Sequence, residues 1–163
     1  MDSGTKLLSL QISKTLKEIK KIDKYIFYIG TSSLNKEDVR FILKQKNMTP
    51  ITGIKQMYRK INNVDYVIAR AGFNTLSECI MYKKPTLFID ELNNPEINEN
   101  IRHIKKLKLG ALFLARDWGK NFNQRLNRFV RIEKNDILKN INNFQFNSNG
   151  EKQIIKYIKK DLN

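Results

Sequence analysis

Short apolar runs alternate with amphipathic stretches along this chain, the pattern of βα units that close on a parallel sheet. From Thr5 to about Lys21, Leu7, Leu8, Leu10, Ile12, Leu16 and Ile19 fall near helical spacing. Tyr25-Ile26-Phe27-Tyr28-Ile29 then reads as a buried strand ended by Gly30. Asn35 can cap a helix that carries Val39, Ile42 and Leu43. A short strand at Thr49-Pro50-Ile51 and a brief helix from Ile54 to Ile61 follow. The spacing next predicts a strand over Tyr66-Val67-Ile68-Ala69, a helix from Asn74 to Tyr82, and a strand over Thr86-Leu87-Phe88-Ile89. Beyond the turn at Asn93-Asn94-Pro95, Ile97, Ile101, Ile104 and Leu107 make the apolar face of a helix that stops before Gly110. Ala111-Leu112-Phe113-Leu114 reads as the last strand, and from Trp118 the pattern is mostly helical. The Asn-rich run from Asn140 to Asn149 reads as a loop. In the closing stretch, Ile154, Ile155 and Ile158 oppose Lys152, Lys156, Lys159 and Lys160. The expected fold class is therefore α/β, one domain over 1–163. A βαβ series opens on a strand, and the residues ahead of the first helix leave almost no room for one. Either the chain is a fragment of a longer protein or its first strand is very short, and the expectation is the fragment.

Composition narrows the class. With 163 residues, 40% of them apolar, the chain suits a single folded domain. No apolar run approaches the ~20 residues of a membrane span, and the opening Met1-Asp2-Ser3-Gly4-Thr5-Lys6 lacks the order of a signal peptide. Cys79 is the only cysteine, which excludes a disulfide framework and makes a reducing, cytoplasmic setting the expectation. A lone cysteine and a lone histidine, His103, are too few soft ligands for a dedicated zinc site. The excess of 31 Lys+Arg over 16 Asp+Glu, a formal charge of +15, favours polyanions: nucleic acid, anionic lipid or phosphorylated small molecules. Lys used throughout as a solubilising residue explains the same excess, so charge selects no partner.

The informative stretch is Tyr66 to Glu78, where a strand runs through Arg70-Ala71-Gly72 into a helix. Gly72 lacks a Cβ, which lets the backbone turn tightly and a ligand approach closely. Free N–H groups and the dipole at a helix start make an anion site. Thr75 adds a hydroxyl in the first turn, and Glu78, one turn further, can accept hydrogen bonds from a ribose diol. A phosphate and a ribose so placed describe a nucleotide. A capping Thr75 and a solvated Glu78 on an ordinary strand–Gly–helix turn would read the same way.

Arg70-Ala71-Gly72-Phe73-Asn74-Thr75-Leu76-Ser77-Glu78 resembles the donor-site motif, Arg-Ser/Ala-Gly-x-x-Thr-x-x-Glu, in the C-terminal domain of the lipid-linked N-acetylglucosaminyltransferase of peptidoglycan synthesis and its relatives. The resemblance runs upstream through Asp65 and Met57 to Ile51-Thr52-Gly53-Ile54, and downstream through Lys84-Pro85-Thr86-Leu87-Phe88-Ile89 to Leu109-Gly110. It implies the C-terminal half of a GT-B glycosyltransferase, a Rossmann-like domain that binds a UDP-sugar, transfers without metal or cofactor, and needs an acceptor-binding N-terminal domain or a separate subunit. Carried over by residue, it implies that the backbone of Ile54 reads the uracil edge. It places Ala71, Gly72, Asn74 and Thr75 at the diphosphate and Glu78 on the ribose hydroxyls. Ser3, Gly4 and Thr5 resemble the remnant of a glycine-rich phosphate loop. Where the family has His/Glu-Gln-x-x-Asn-Ala, this chain has Glu96-Ile97-Asn98-Glu99-Asn100-Ile101. Glu96 and Asn100 match donor-sugar positions, whereas Ile97 replaces the sugar-contacting glutamine and leaves the sugar open.

Other residues take plainer readings. His103 has no nucleophile beside it in sequence and reads as a surface histidine, Cys79 as core, and Trp118 as packing. The basic closing stretch either packs on the domain or lies on an anionic membrane surface, as peripheral attachment at the inner face would require. Two alternatives accompany the transferase. Gly4-Thr5-Lys6-Leu7-Leu8-Ser9-Leu10-Gln11-Ile12 also resembles UDP-sugar hydrolases of the nonulosonic-acid pathways, which use water as acceptor. A basic nucleic-acid-binding domain is the third, with no helix-turn-helix, aromatic RNA-binding strand or zinc module to support it.

Overall fold

The structure, a computed structural model, describes residues 12–32, 34–91, 94–114 and 121–144. Residues 12–19 form a helix, α1, followed by strand β1 (Phe27–Gly30), helix α2 (Lys36–Leu43), strand β2 (Met48–Ile51) and helix α3 (Ile54–Ile61). Next come β3 (Val67–Arg70), α4 (Phe73–Met81), β4 (Thr86–Ile89), α5 (Pro95–Leu107) and β5 (Ala111–Phe113). The described chain ends in α6 (Phe122–Arg128), a π-turn over Phe129–Glu133, and α7 (Lys134–Asn143). The expected α/β class with a parallel sheet between helices is what the chain adopts.

Every strand pairing is parallel. β1 pairs with β2, and β3, β4 and β5 pair in that order, so the ladder falls into a two-stranded and a three-stranded part. The chain leaves the break outward in both directions, from β1 to β2 on one side and from β3 through β4 to β5 on the other. Side chains join the parts: Tyr25 meets Tyr66 edge-on with ring centroids 5.9 Å apart, and Tyr66 meets Phe129 at 5.8 Å. Phe27, Ile29 and Ile68 pack on the same core as Leu87, Ile89, Phe122 and Phe129.

Burial explains the elements. All of β4 is buried, as a parallel strand covered on both faces should be. Its side chains alternate between two cores, Leu87 and Ile89 toward α1, α6 and α7, and Phe88 toward Ala71, Cys79, Ile97, Ile101 and Ile104. Asn35 caps α2 by accepting from the Asp38 N–H at 2.8 Å, as expected from sequence. Gly53 has φ 79°, a left-handed conformation that costs other residues strain. Leu109 and Ala111 flank Gly110, where an added Cβ would stand 2.5 Å from the Phe88 ring.

Two expectations need correction. The segment from Tyr25 to Ile29 is not a buried strand throughout: β1 starts at Phe27, Ile26 is 69% exposed, and Tyr28 and Gly30 are exposed. β1 meets β2 on one edge alone among the described residues, and its side chains alternate between the core, at Phe27 and Ile29, and solvent. The Asn-rich run is not a loop from its start, because Asn140, Asn142 and Asn143 belong to α7. Ile137 and Ile141, one turn apart, bury against the core and hold these asparagines helical despite their low propensity.

Candidate functional site

Open α/β sheets bind ligands beyond the carboxyl ends of their strands, where strand order reverses. Here the chain steps from β1 to β2 in one sheet and from β3 through β4 to β5 in the other, and the Arg70-Ala71-Gly72 corner stands at the carboxyl end of β3. Beyond the same end of β1, the Thr31 N–H and hydroxyl both donate to the Ile51 carbonyl, each at 3.1 Å, tying β1 to β2.

Gly72 is the N-cap of α4 and supplies no side-chain cap. The first helical hydrogen bond, from the Leu76 N–H to the Gly72 carbonyl at 2.9 Å, leaves the amides of Phe73, Asn74 and Thr75 pointing out of the helix start. The Phe73 N–H donates to Glu96 Oε1 at 3.3 Å, while those of Asn74 and Thr75 meet no acceptor among the described residues. Phe73 itself is 63% exposed. Asn74 is exposed, Thr75 is half-buried, and half-buried Glu78 lies one turn further along α4.

The sequence argument for Gly72 needs one correction. Its φ of −69° and ψ of 149° are ordinary extended values, so the corner does not need glycine to turn. Nothing lies within 4 Å of where a Cβ would sit. What the missing side chain leaves is open space directly before three amides.

Polar ties from the segment after β4 hold the corner, and these the sequence reading missed. Arg70 Nη1 pairs with Glu91 Oε2 at 3.1 Å, and Glu91 also accepts from Asn94 Nδ2 at 3.2 Å. Asn94 in turn caps α5 by accepting from the Ile97 N–H. Asn100 Nδ2 donates to the Ala71 carbonyl at 2.9 Å in buried surroundings. Ala71 is itself fully buried, so its carbonyl would otherwise lack water. Glu96 and Asn100, four residues apart, share one face of α5, which was the available signal. Ile97 is 1% exposed, in the same buried cluster as Ala71 of the corner, so its side chain is core and not solvent-facing.

The remaining expected residues fall as follows. Ile54 opens α3 immediately after Gly53, placing its backbone beyond β2 at the same sheet end. Ser3, Gly4, Thr5, Trp118 and the closing basic stretch lie outside the described residues. Cys79 is core, 1% exposed; burial pushes its thiol up to about 11, against a lowering hydrogen bond with Thr86. His103 is a surface histidine, 57% exposed and 3.1 Å from Glu99. Hydrogen bonding from Arg102 holds the Glu99 carboxyl below its usual range. Among the described residues, no helix is long and apolar enough to cross a membrane.

The sequence model of the Glycosyltransferase family 28 C-terminal domain matches residues 3–158. The chain belongs to this family. Among solved structures, it resembles the glycosyltransferase SnogD from Streptomyces nogalater, with a TM-score of 0.56 and 16% identity. The match covers 80% of this chain and 35% of SnogD, so the chain spans about a third of that enzyme's length. No curated protein matches it. The family and the shared fold make this a donor-binding domain of the glycosyltransferase type, with the Arg70–Glu78 motif at the carboxyl end of its sheet.

Proposed function

We propose that the chain is the UDP-sugar-binding domain of a glycosyltransferase, related to the lipid-linked N-acetylglucosaminyltransferase that its motif resembles. An acceptor-binding domain, on the same polypeptide or a separate subunit, completes the enzyme. The observation that carries this reading is the open space at Gly72, before an α4 start whose Asn74 and Thr75 amides meet no acceptor among the described residues, at the carboxyl end of β3 in a family 28 domain. The amides of Asn74 and Thr75 take the diphosphate, the backbone at Ile54 takes the base, and Glu78 takes the ribose hydroxyls. During transfer the same amides stabilise charge growing on the departing diphosphate, and the partner domain supplies the base that activates the acceptor hydroxyl. Such a protein works in the cytoplasm, at the inner face of the membrane where lipid-linked acceptors stand. The test is calorimetry with UDP on the wild-type chain and on Glu78→Ala. UDP binds the wild type, and loss of two charge-assisted hydrogen bonds weakens binding by about tenfold or more. Undiminished affinity in the variant removes the ribose assignment.

A further inference from the structure

The helix start that faces the ligand is not empty of anions. The Glu96 carboxylate sits on the Phe73 N–H at 3.3 Å, so the corner already holds an oxyanion from its own chain. Glu96 rides on the first turn of α5, in place through the Asn94 cap and the Pro95 start, and is exposed. Carboxylates stand around the corner although the chain carries a charge of +15: Glu78 on α4, Asp90 and Glu91 after β4, and Glu96 on α5, with Arg70 paired to Glu91. No lysine lies on the strand-to-helix corner or in the first turn of α4. Binding of a diphosphate here rests on amides, against a resident negative charge.

We infer that Glu96 is a specificity-determining residue that makes the site reject free nucleoside diphosphate relative to nucleoside-diphosphate sugar. This rests on the donor-domain reading above. Both ligands seat their phosphates on the Asn74 and Thr75 amides, next to the carboxylate that holds the Phe73 N–H. They differ in charge: the β-phosphate of a sugar diester bears one negative charge, whereas the terminal phosphate of the free diphosphate, with a second pKa near 6, bears about two at neutral pH. A carboxylate a few ångströms away penalises that added charge about fivefold in affinity even with water between them. The site thereby favours donor over spent product, and the product leaves faster.

The test is calorimetry on the full chain with UDP and with UDP-glucose, at about 0.15 M salt. It compares wild type, Glu96→Gln and, as a charge control one turn away, Glu99→Gln. Glu96 is exposed, so the isosteric variant keeps the fold. Glu96→Gln should tighten UDP about fivefold more than it tightens UDP-glucose, and Glu99→Gln should leave the ratio of the two affinities unchanged. Equal gains for both ligands, no gain at all, or the same change in Glu99→Gln would each overturn the inference while leaving the donor site intact. Absence of binding by every protein to either ligand would overturn the donor-domain reading and the inference together.

Discussion

Replacing Gly72 by alanine separates what the fold needs from what the ligand needs. In the free protein the new methyl group meets nothing within 4 Å, and a φ of −69° with ψ 149° suits alanine. The folded state therefore takes no strain, while the unfolded chain loses freedom, a gain of about 0.4–1 kcal/mol. For a domain of this size that raises Tm by roughly 1–4 °C. The same methyl group projects into the space before the Phe73, Asn74 and Thr75 amides. A diphosphate seated there overlaps it, and crowding of this kind costs about 1–3 kcal/mol, a loss of roughly 5- to 150-fold in affinity. Differential scanning fluorimetry reads the first quantity and calorimetry with UDP the second. A drop in Tm would show that the backbone accounting at the corner is wrong. An unchanged UDP affinity in a stable variant would show that the glycine leaves room for nothing, and the corner would cease to be the diphosphate site.

The other predictions concern the scaffold. Gly110→Ala forces a Cβ to within 2.5 Å of the fully buried Phe88 ring and 3.2 Å of the Thr86 carbonyl, and denaturant titration should show a loss of about 1–3 kcal/mol. Glu133 accepts from Arg125 Nη2 at 2.8 Å and from Arg128 Nε at 3.0 Å; Arg125 and Glu133 are each about four-fifths buried. Glu133→Ala leaves the Arg125 guanidinium held only by its Nε bond to the Leu112 carbonyl, its Nη1 having no partner among the described residues, and should cost about 1.5–3 kcal/mol by the same titration. The folded Cys79 thiol titrates at about 11 against an ordinary 9.0, so its neutral form is the one the fold favours. Its contribution is complete below pH 9.0, fades as pH rises through about 11, and should vanish from the pH–stability profile of Cys79→Ala in that window.

Much of this architecture was readable in the chain because its strands and helices are short and cleanly punctuated. Thr86 to Ile89, an unbroken apolar run between Pro85 and Asp90, can only be a strand covered on both faces, and it is. Ile97, Ile101 and Ile104 gave α5 its buried face for the same reason. β1 misled because its apolar run resembles that of β4, while its burial depends on neighbours that composition does not report. Asn140 to Asn143 misled because propensity was allowed to outweigh the Ile137–Ile141 spacing. At the corner, sequence located Gly72 and Glu78 but assigned the glycine a turning role that its dihedral angles do not require. Glu96 and Asn100 were named from sequence only as donor-sugar positions; the bond from Asn100 to the Ala71 carbonyl and that from the Phe73 N–H to Glu96 were not legible there. Both join residues more than twenty positions apart, and only the packing of α5 against α4 brings them together.

The interruption between β1 and β3 gives the molecule a plane of weakness. Among the described residues, no strand ladder crosses that plane; aromatic edges and aliphatic side chains hold it shut. Single side-chain hydrogen bonds help, from Lys24 to Asn127, from Asn47 to the Ile19 and Ile22 carbonyls, and from Lys84 to the Asn62 and Val64 carbonyls. Separating the two parts therefore breaks no sheet hydrogen bond, whereas parting β3 from β4 breaks a whole ladder. A partial opening follows the easier route and releases β1, α2, β2 and α3 as one cooperative block. The Gly72 corner lies at the rim of this seam, so an occupant reaching from that corner to the Ile54 backbone would act as a clasp across it.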